Sequence, residues 1–156
     1  MGYIEKIQSM LQNGEISCVE LTEKYLKAIE EANGELIDYV TVKSEVALAQ
    51  AKQVDEKIKR GEKLLPLEGV PMTLKDNIST NGIETTCCSK ILKGYKPIYD
   101  AKVWEILKKN NAILLGKTNM DEFAMGSSTE TSCFGGATNP FNTDHVAGGS
   151  SGGVAS

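Results

Sequence analysis

The run Ala112-Ile113-Leu114-Leu115 is apolar at every position, without the alternation of a strand that has one face in water. The segment before it, from Asp100 to about Asn110, reads as a helix capped by Asp100, with Val103, Ile106 and Leu107 turned inward. A second β-prone stretch at residues 70–75 ends in Leu74-Lys75. Pro71 restricts that stretch to a sheet edge or to the first residues of a strand. Strand, helix and strand at this spacing form a βαβ unit, whose two strands are parallel and buried on both faces. The expected class is therefore α/β, with a mixed, largely parallel sheet flanked by helices.

Upstream the pattern is helical. Ser17-Cys18-Val19-Glu20 has the form of a capping box, and Val19, Thr22, Leu26 and Ile29 recur at helical spacing. Asn33-Gly34 is expected to stop that helix, and Ile37 to Val42 is a short β-prone run. Ser44 is expected to cap a second helix to about Arg60, with Ala47, Ala51, Val54 and Ile58 on its inner side and Gly61 at its end. Residues 1–66 hold 21 charged side chains and residues 67–156 hold 17, whereas 11 of the 15 glycines fall in the second part. We therefore expect a helical N-terminal region over 1–66 and a loop-rich core over 67–156. A further helix is expected near Asn119 or Met120. After it, only Glu130 and Asp144 are charged in the 34 residues from Phe123 to Ser156. A stretch that long with little regular pattern is functional or poorly ordered.

Composition excludes several classes. A net charge of -4 argues against a grip on DNA or RNA through bulk charge. No apolar run approaches the roughly 18 residues of a membrane span. The start, Met1-Gly2-Tyr3-Ile4-Glu5-Lys6, has no signal-peptide pattern, which leads us to expect a cytoplasmic protein. Cys18, Cys87, Cys88 and Cys133 form no CxxC pair, so reduced thiols are expected in place of a disulfide scaffold or a zinc site.

Gly116-Lys117-Thr118 invites a phosphate-loop reading, but the position five residues before Gly116 is Asn111, and a strand occupies the interval. His145 is the only histidine, and the adjacent Asp144 cannot act with it as a relay, so a surface histidine is expected. Lys75 has two readings. Its stem can lie along the sheet with the ammonium in water, the commoner arrangement. Alternatively it sits at the C-terminal end of a parallel strand, where α/β sites collect and where burial favours a neutral amine able to take a proton. Gly148-Gly149-Ser150-Ser151-Gly152-Gly153 is either a flexible linker or a loop that offers backbone amides and hydroxyls to a ligand. Composition does not choose between them.

Together these residues resemble the amidase signature family. Gly148 to Gly153 resembles the opening of its signature, and Leu74-Lys75-Asp76-Asn77 resembles the segment with its lysine. The stretch from Gly116-Lys117-Thr118-Asn119 to Ser128-Thr129-Glu130 is similar to one branch, the A subunits of tRNA-dependent amidotransferases. The resemblance implies a Ser-cisSer-Lys triad. Lys75 matches the lysine and Ser150 the middle serine, and the acylated serine is expected about two dozen residues further on. The Gly/Ser end is thus read as a severed active-site loop, in a piece that is inactive and marginally soluble by itself. Met125, Gly126, Ser127 and Ser151 match candidate substrate-pocket positions. The resemblance implies no cofactor in this chain. It implies glutamine as substrate and B and C subunits as partners, with ATP and Mg used mainly through B and tRNA contacted mostly by the partner. A stand-alone amidase acting on another amide and a non-catalytic binding scaffold are the alternatives.

Overall fold

The computed structural model describes residues 2–156. Helices α1 (Tyr3–Gln12) and α2 (Cys18–Leu36) lead into strand β1 (Tyr39–Val42) and helix α3 (Ser44–Lys59). Strand β2 (Pro71–Lys75), helix α4 (Lys102–Lys109) and strand β3 (Ile113–Thr118) follow, then a hairpin of β4 (Thr138–Asn139) and β5 (Asn142–Val146), and a short helix α5 (Gly152–Ala155). The first sheet has the order β1-β3-β2. β2 and β3 run parallel, as the βαβ spacing requires, and β1 pairs antiparallel on the other side of β3. β2 is an edge of this sheet and Pro71 is its first residue, where the missing N–H does least harm.

Every residue of β3 is buried, because each face of the sheet has its own cover. On one face Ile113 and Leu115 pack with Ile7, Leu11, Cys18, Ala47, Ala51 and Val54 from the three N-terminal helices. The N-terminal helices thus share a core with the sheet. On the other face Leu114 and Leu74 pack with Trp104 of α4, flanked by Met72, Ile78, Ile83 and Leu107. The register steps between Met72↔Leu114 and Thr73↔Gly116, which leaves one extra residue on β3. Such a bulge inverts the alternation beyond it. Lys117 therefore lies on the face of Leu114 instead of that of Ile113. Gly116 is required at the bulge, since a Cβ there would run into the carbonyl of Thr41 in β1.

Local details differ from the sequence pattern in five places. α2 runs through Asn33-Gly34 to Leu36 and is capped by Ile37, which adopts the left-handed conformation at φ 55°. Asn33 does not break the helix because its side chain serves the next strand, donating to the Tyr39 carbonyl at 3.0 Å and accepting from the Tyr39 amide at 2.6 Å. Ser44 is the first residue of α3, after Lys43 at the cap position. Asp100 does not cap α4 either, because its carboxylate accepts from the Asn81 amide and pairs with Lys108. On α4 the inward residues are Trp104 and Leu107, whereas Val103 and Ile106 are about half exposed at 48% and 51%. No α-helix starts at Asn119 or Met120. Asn119 donates instead to the carbonyls of Ile37 and Gly135, and Phe123 and Ala124 have φ of 50° and 63°, so only a 3-10 turn at Glu122–Ala124 forms.

Other expectations are met. The Ser17 capping box has both reciprocal bonds, at 3.1 Å and 2.9 Å. All four cysteines are free thiols. Burial pushes Cys18 and Cys88 up to about 12, with Asp55 and Asp76 respectively adding to the shift. His145 is exposed on β5. No helix among the described residues is long and apolar enough to cross a membrane.

Candidate active site

Lys75 is the last residue of β2, half-buried, at the C-terminal end of the parallel pair. Ser150 lies 75 positions away in sequence, and the fold brings the two together: Lys75 Nζ donates to Ser150 Oγ at 2.7 Å. The commoner sequence reading of Lys75, an ammonium held out in water, is therefore not what the structure shows. The peptide bond between Gly149 and Ser150 is cis, and Gly148 has a φ of 111°.

Nor is the Gly/Ser run a loose linker, because it is held from both ends. Thr129 Oγ1 donates to the Gly148 carbonyl at 2.6 Å, and the Asp121 amide donates to the Ser150 carbonyl at 3.2 Å. After Ser150 the chain turns into α5, where the Gly153 amide donates to the Asn119 carbonyl at 3.1 Å. Gly149 has to be glycine, because a Cβ there would run into the Asp121 carboxylate and the backbone between Ser127 and Ser128.

The other expected site residues are divided. Ser151 is at the cap position of α5, and its carbonyl accepts from the amides of Val154 and Ala155. Gly126 packs against Asp121, and the Ser127–Ser128 backbone touches Gly149, so the segment 126–128 borders the Ser150 loop. The Met125 side chain is 80% exposed and Ser127 is exposed as well.

Beneath Lys75 lies a polar layer that sequence reasoning missed. Lys117 and Asp76 are both fully buried, 3.8 Å apart. Lys117 Nζ donates to the Ile78 carbonyl at 2.7 Å and to Thr85 Oγ1 at 2.9 Å. Asp76 Oδ2 accepts from the Thr86 amide and hydroxyl at 3.0 Å and 2.5 Å and from the Cys88 amide at 3.3 Å. Burial pushes the Lys117 ammonium below the ordinary lysine value, against the pull of Asp76. This is where the lysine of the rejected phosphate loop goes. Its place inside a strand supports the rejection.

Asp121 is a second residue that the sequence did not single out. Burial works against its ionisation. The Thr129 amide, the hydroxyl and amide of Thr131 and the Ser128 amide outweigh that and hold its carboxyl below the usual carboxylate range. An acid beside Glu122, followed by weakly patterned residues, carries no signal that spacing rules could have read.

Chemically, a lysine amine hydrogen-bonded to a serine hydroxyl in a glycine-walled loop is an arrangement through which a proton can pass between the amine and a group on the far side of the hydroxyl. Known proteins share this frame. A model of the family described as Amidase matches residues 20–156. The A subunit of the glutamyl-tRNA(Gln) amidotransferase of Carboxydothermus hydrogenoformans is 52% identical over 97% of this chain and 31% of its own length. A bacterial aryl acylamidase of the amidase signature family superposes with a TM-score of 0.90 at 29% identity, over 97% of this chain and 32% of that one. The A subunit of the glutamyl-tRNA(Gln) amidotransferase of Thermotoga maritima superposes with a TM-score of 0.70 at 34% identity, over 87% of this chain and 29% of that one. The chain thus spans less than a third of the length of the curated relatives it matches. The Lys75–Ser150 pair stands in a fold and a sequence shared over nearly the whole chain, and the protein belongs to the amidase signature family.

Proposed function

We propose that these residues carry the lysine and the relay serine of a glutamine-hydrolysing amidase, the ammonia-supplying subunit of a glutamyl-tRNA(Gln) amidotransferase. The observation that carries this reading is the 2.7 Å contact between Lys75 Nζ and Ser150 Oγ. Lys75 as a neutral amine takes the proton of Ser150, and Ser150 takes the proton of a second serine as that oxygen attacks the glutamine carboxamide carbon. The tetrahedral intermediate collapses, and the relay returns a proton to the leaving nitrogen. Ammonia departs, and water then releases glutamate from the acyl-serine. The second serine belongs, on this reading, to a glycine-rich stretch about two dozen residues beyond Ser150. By themselves residues 1–156 are then inactive. The ammonia passes to a B subunit that activates Glu-tRNA(Gln) with ATP and Mg, with a C subunit bracing the pair. No cofactor is assigned to this chain.

The test is glutaminase turnover in the full-length, assembled enzyme. Lys75→Ala and Ser150→Ala should each lower kcat by about 100-fold or more, the span expected for a positioned proton-transfer group. Turnover that stays within a few-fold of the parent would exclude the relay. Full activity on another amide without any partner subunit would favour the alternative, a stand-alone amidase, for which the likeness to the aryl acylamidase speaks.

A further inference from the structure

Asp121 is fully buried, its carboxyl is held below the usual range, and it pairs with no cation among the described residues. A buried carboxylate without a counter-ion persists only where neutral donors satisfy it. Here Oδ2 accepts from the Thr129 amide at 3.0 Å and Oδ1 from the Thr131 hydroxyl at 2.9 Å. The carboxylate thus ties the turn at 128–131 around itself. The opposite flank of the same group touches two glycines, Gly126 and Gly149, neither of which has room for a Cβ. The residue is bound to the Ser150 loop twice more. Its own amide donates to the Ser150 carbonyl, and Thr129, which it orients, donates to the Gly148 carbonyl.

Three of these contacts, to Gly149, to the Ser150 carbonyl and through Thr129 to the Gly148 carbonyl, fall on the backbone on either side of Ser150, and none of them touches the Ser150 hydroxyl. We propose that Asp121 is a positioning residue: its buried carboxylate sets the Gly148-Gly149-Ser150 backbone and so aims Ser150 Oγ at Lys75. The inference rests on the Lys–Ser relay reading. It goes beyond that reading in giving the relay a third, non-reacting member that comes from the loop after β3. The choice of acid follows from the geometry. Asparagine has the same outline, but backbone amides of Thr129, Thr131 and Ser128 point at the carboxylate, and an NH2 group in place of either oxygen would turn a donor toward N–H groups that cannot accept. Glutamate would be too long for the space left by Gly126 and Gly149.

The experiment uses the full-length, assembled enzyme with glutamine as substrate and compares Asp121→Asn with the parent, Lys75→Ala and Ser150→Ala. Asp144→Asn, an exposed position on β5, controls for the loss of one charge. Misaiming a reacting group by about 1 Å costs up to about 100-fold, so Asp121→Asn should lower kcat by about 10- to 100-fold with KM within about 3-fold. A merely structural role would lower the amount of folded enzyme and leave kcat per folded enzyme unchanged. If Lys75→Ala and Ser150→Ala abolish turnover while Asp121→Asn keeps kcat within about 3-fold, the positioning role is overturned and the relay stands. If Lys75→Ala and Ser150→Ala remain active, both are overturned. Should Asp121→Asn not assemble, Thr131→Val, which removes one donor to the carboxylate, is expected to lower kcat by at least about 3-fold, and full activity there overturns the inference.

Discussion

Replacing Lys117 by methionine isolates the energetics of the layer beneath the candidate site. The methionine stem fills much the same volume, so the change removes mainly the ammonium. Asp76 is left fully buried, and its Oδ1 loses the group that faces it, since no hydrogen-bond donor reaches that oxygen. Ile78 and Thr85 each lose a charged donor at 2.7 Å and 2.9 Å. Stripping one partner from a buried ion pair costs about 3–5 kcal/mol, most of it the penalty of the charge left behind. Exchanging the whole pair for uncharged groups is far cheaper. Lys117→Met should therefore destabilise by about 3–5 kcal/mol, and adding Asp76→Asn should recover about half of that.

Urea unfolding followed by fluorescence reads this directly. Trp104 is the only tryptophan in the 156 residues, is 3% exposed, and packs with Ile78 and Leu114 on the same face of the sheet as Lys117. With an m-value of about 2 kcal/mol/M, the single variant should lose about 1.5–2.5 M in unfolding midpoint. The reasoning fails if Lys117→Met shifts stability by less than about 1 kcal/mol, or if Asp76→Asn adds its full cost on top. Either result would mean that Asp76 does not depend on the ammonium.

Two further outcomes are expected. Glu68, 1% exposed, accepts from Lys57, the Leu65 amide and Asn111 at 2.7 Å each. Burial opposes its ionisation, but these partners outweigh it and hold the carboxyl below the ordinary 4.5. A carboxyl lowered in the folded state contributes stability that is present above 4.5 and lost as pH falls through its folded value. Glu68→Gln should thus lower stability at pH 7 and flatten the decline below pH 4.5 in acid titrations of the unfolding midpoint, and an unchanged acid limb would count against the assignment. The thiols offer the second outcome. Cys18 and Cys88 are fully buried and raised to about 12, so iodoacetamide mapped by mass spectrometry under native conditions should label Cys87 and Cys133, both half-buried, well before them. Equal labelling of all four would show that the native state opens readily.

The parts legible in the sequence were those governed by local rules. The apolar run at 112–115, the helical spacing before it and the strand at 70–75 specify a parallel pair, because period and connection length leave no other pairing, and the pair forms with Pro71 at its start. The Ser17 capping box works for the same reason, since all its partners lie within three residues. Three of the five misreadings arose where a side chain with a local propensity was engaged by a partner outside its own turn. Asn33 serves Tyr39, Asp100 serves Asn81 and Lys108, and Asn119 holds Ile37 and Gly135. Tertiary hydrogen bonds of this kind override capping preferences that are worth only about 1 kcal/mol. The bulge on β3 had the largest effect. It is invisible in a run of apolar residues, yet it inverts the alternation and turns Lys117 from the face of Ile113 to the face of Leu114, within reach of Asp76. The site follows the same division. Strand position and glycine content marked Lys75 and Ser150 separately, but their 2.7 Å contact needs the turn at Gly148–Ser150, the Asp121 amide and Thr129, contributed from three segments. A contact assembled from that many distant segments has no signature at fixed spacing, which is why the residues alone left Lys75 and the glycine loop open and only a resemblance over the whole chain joined them.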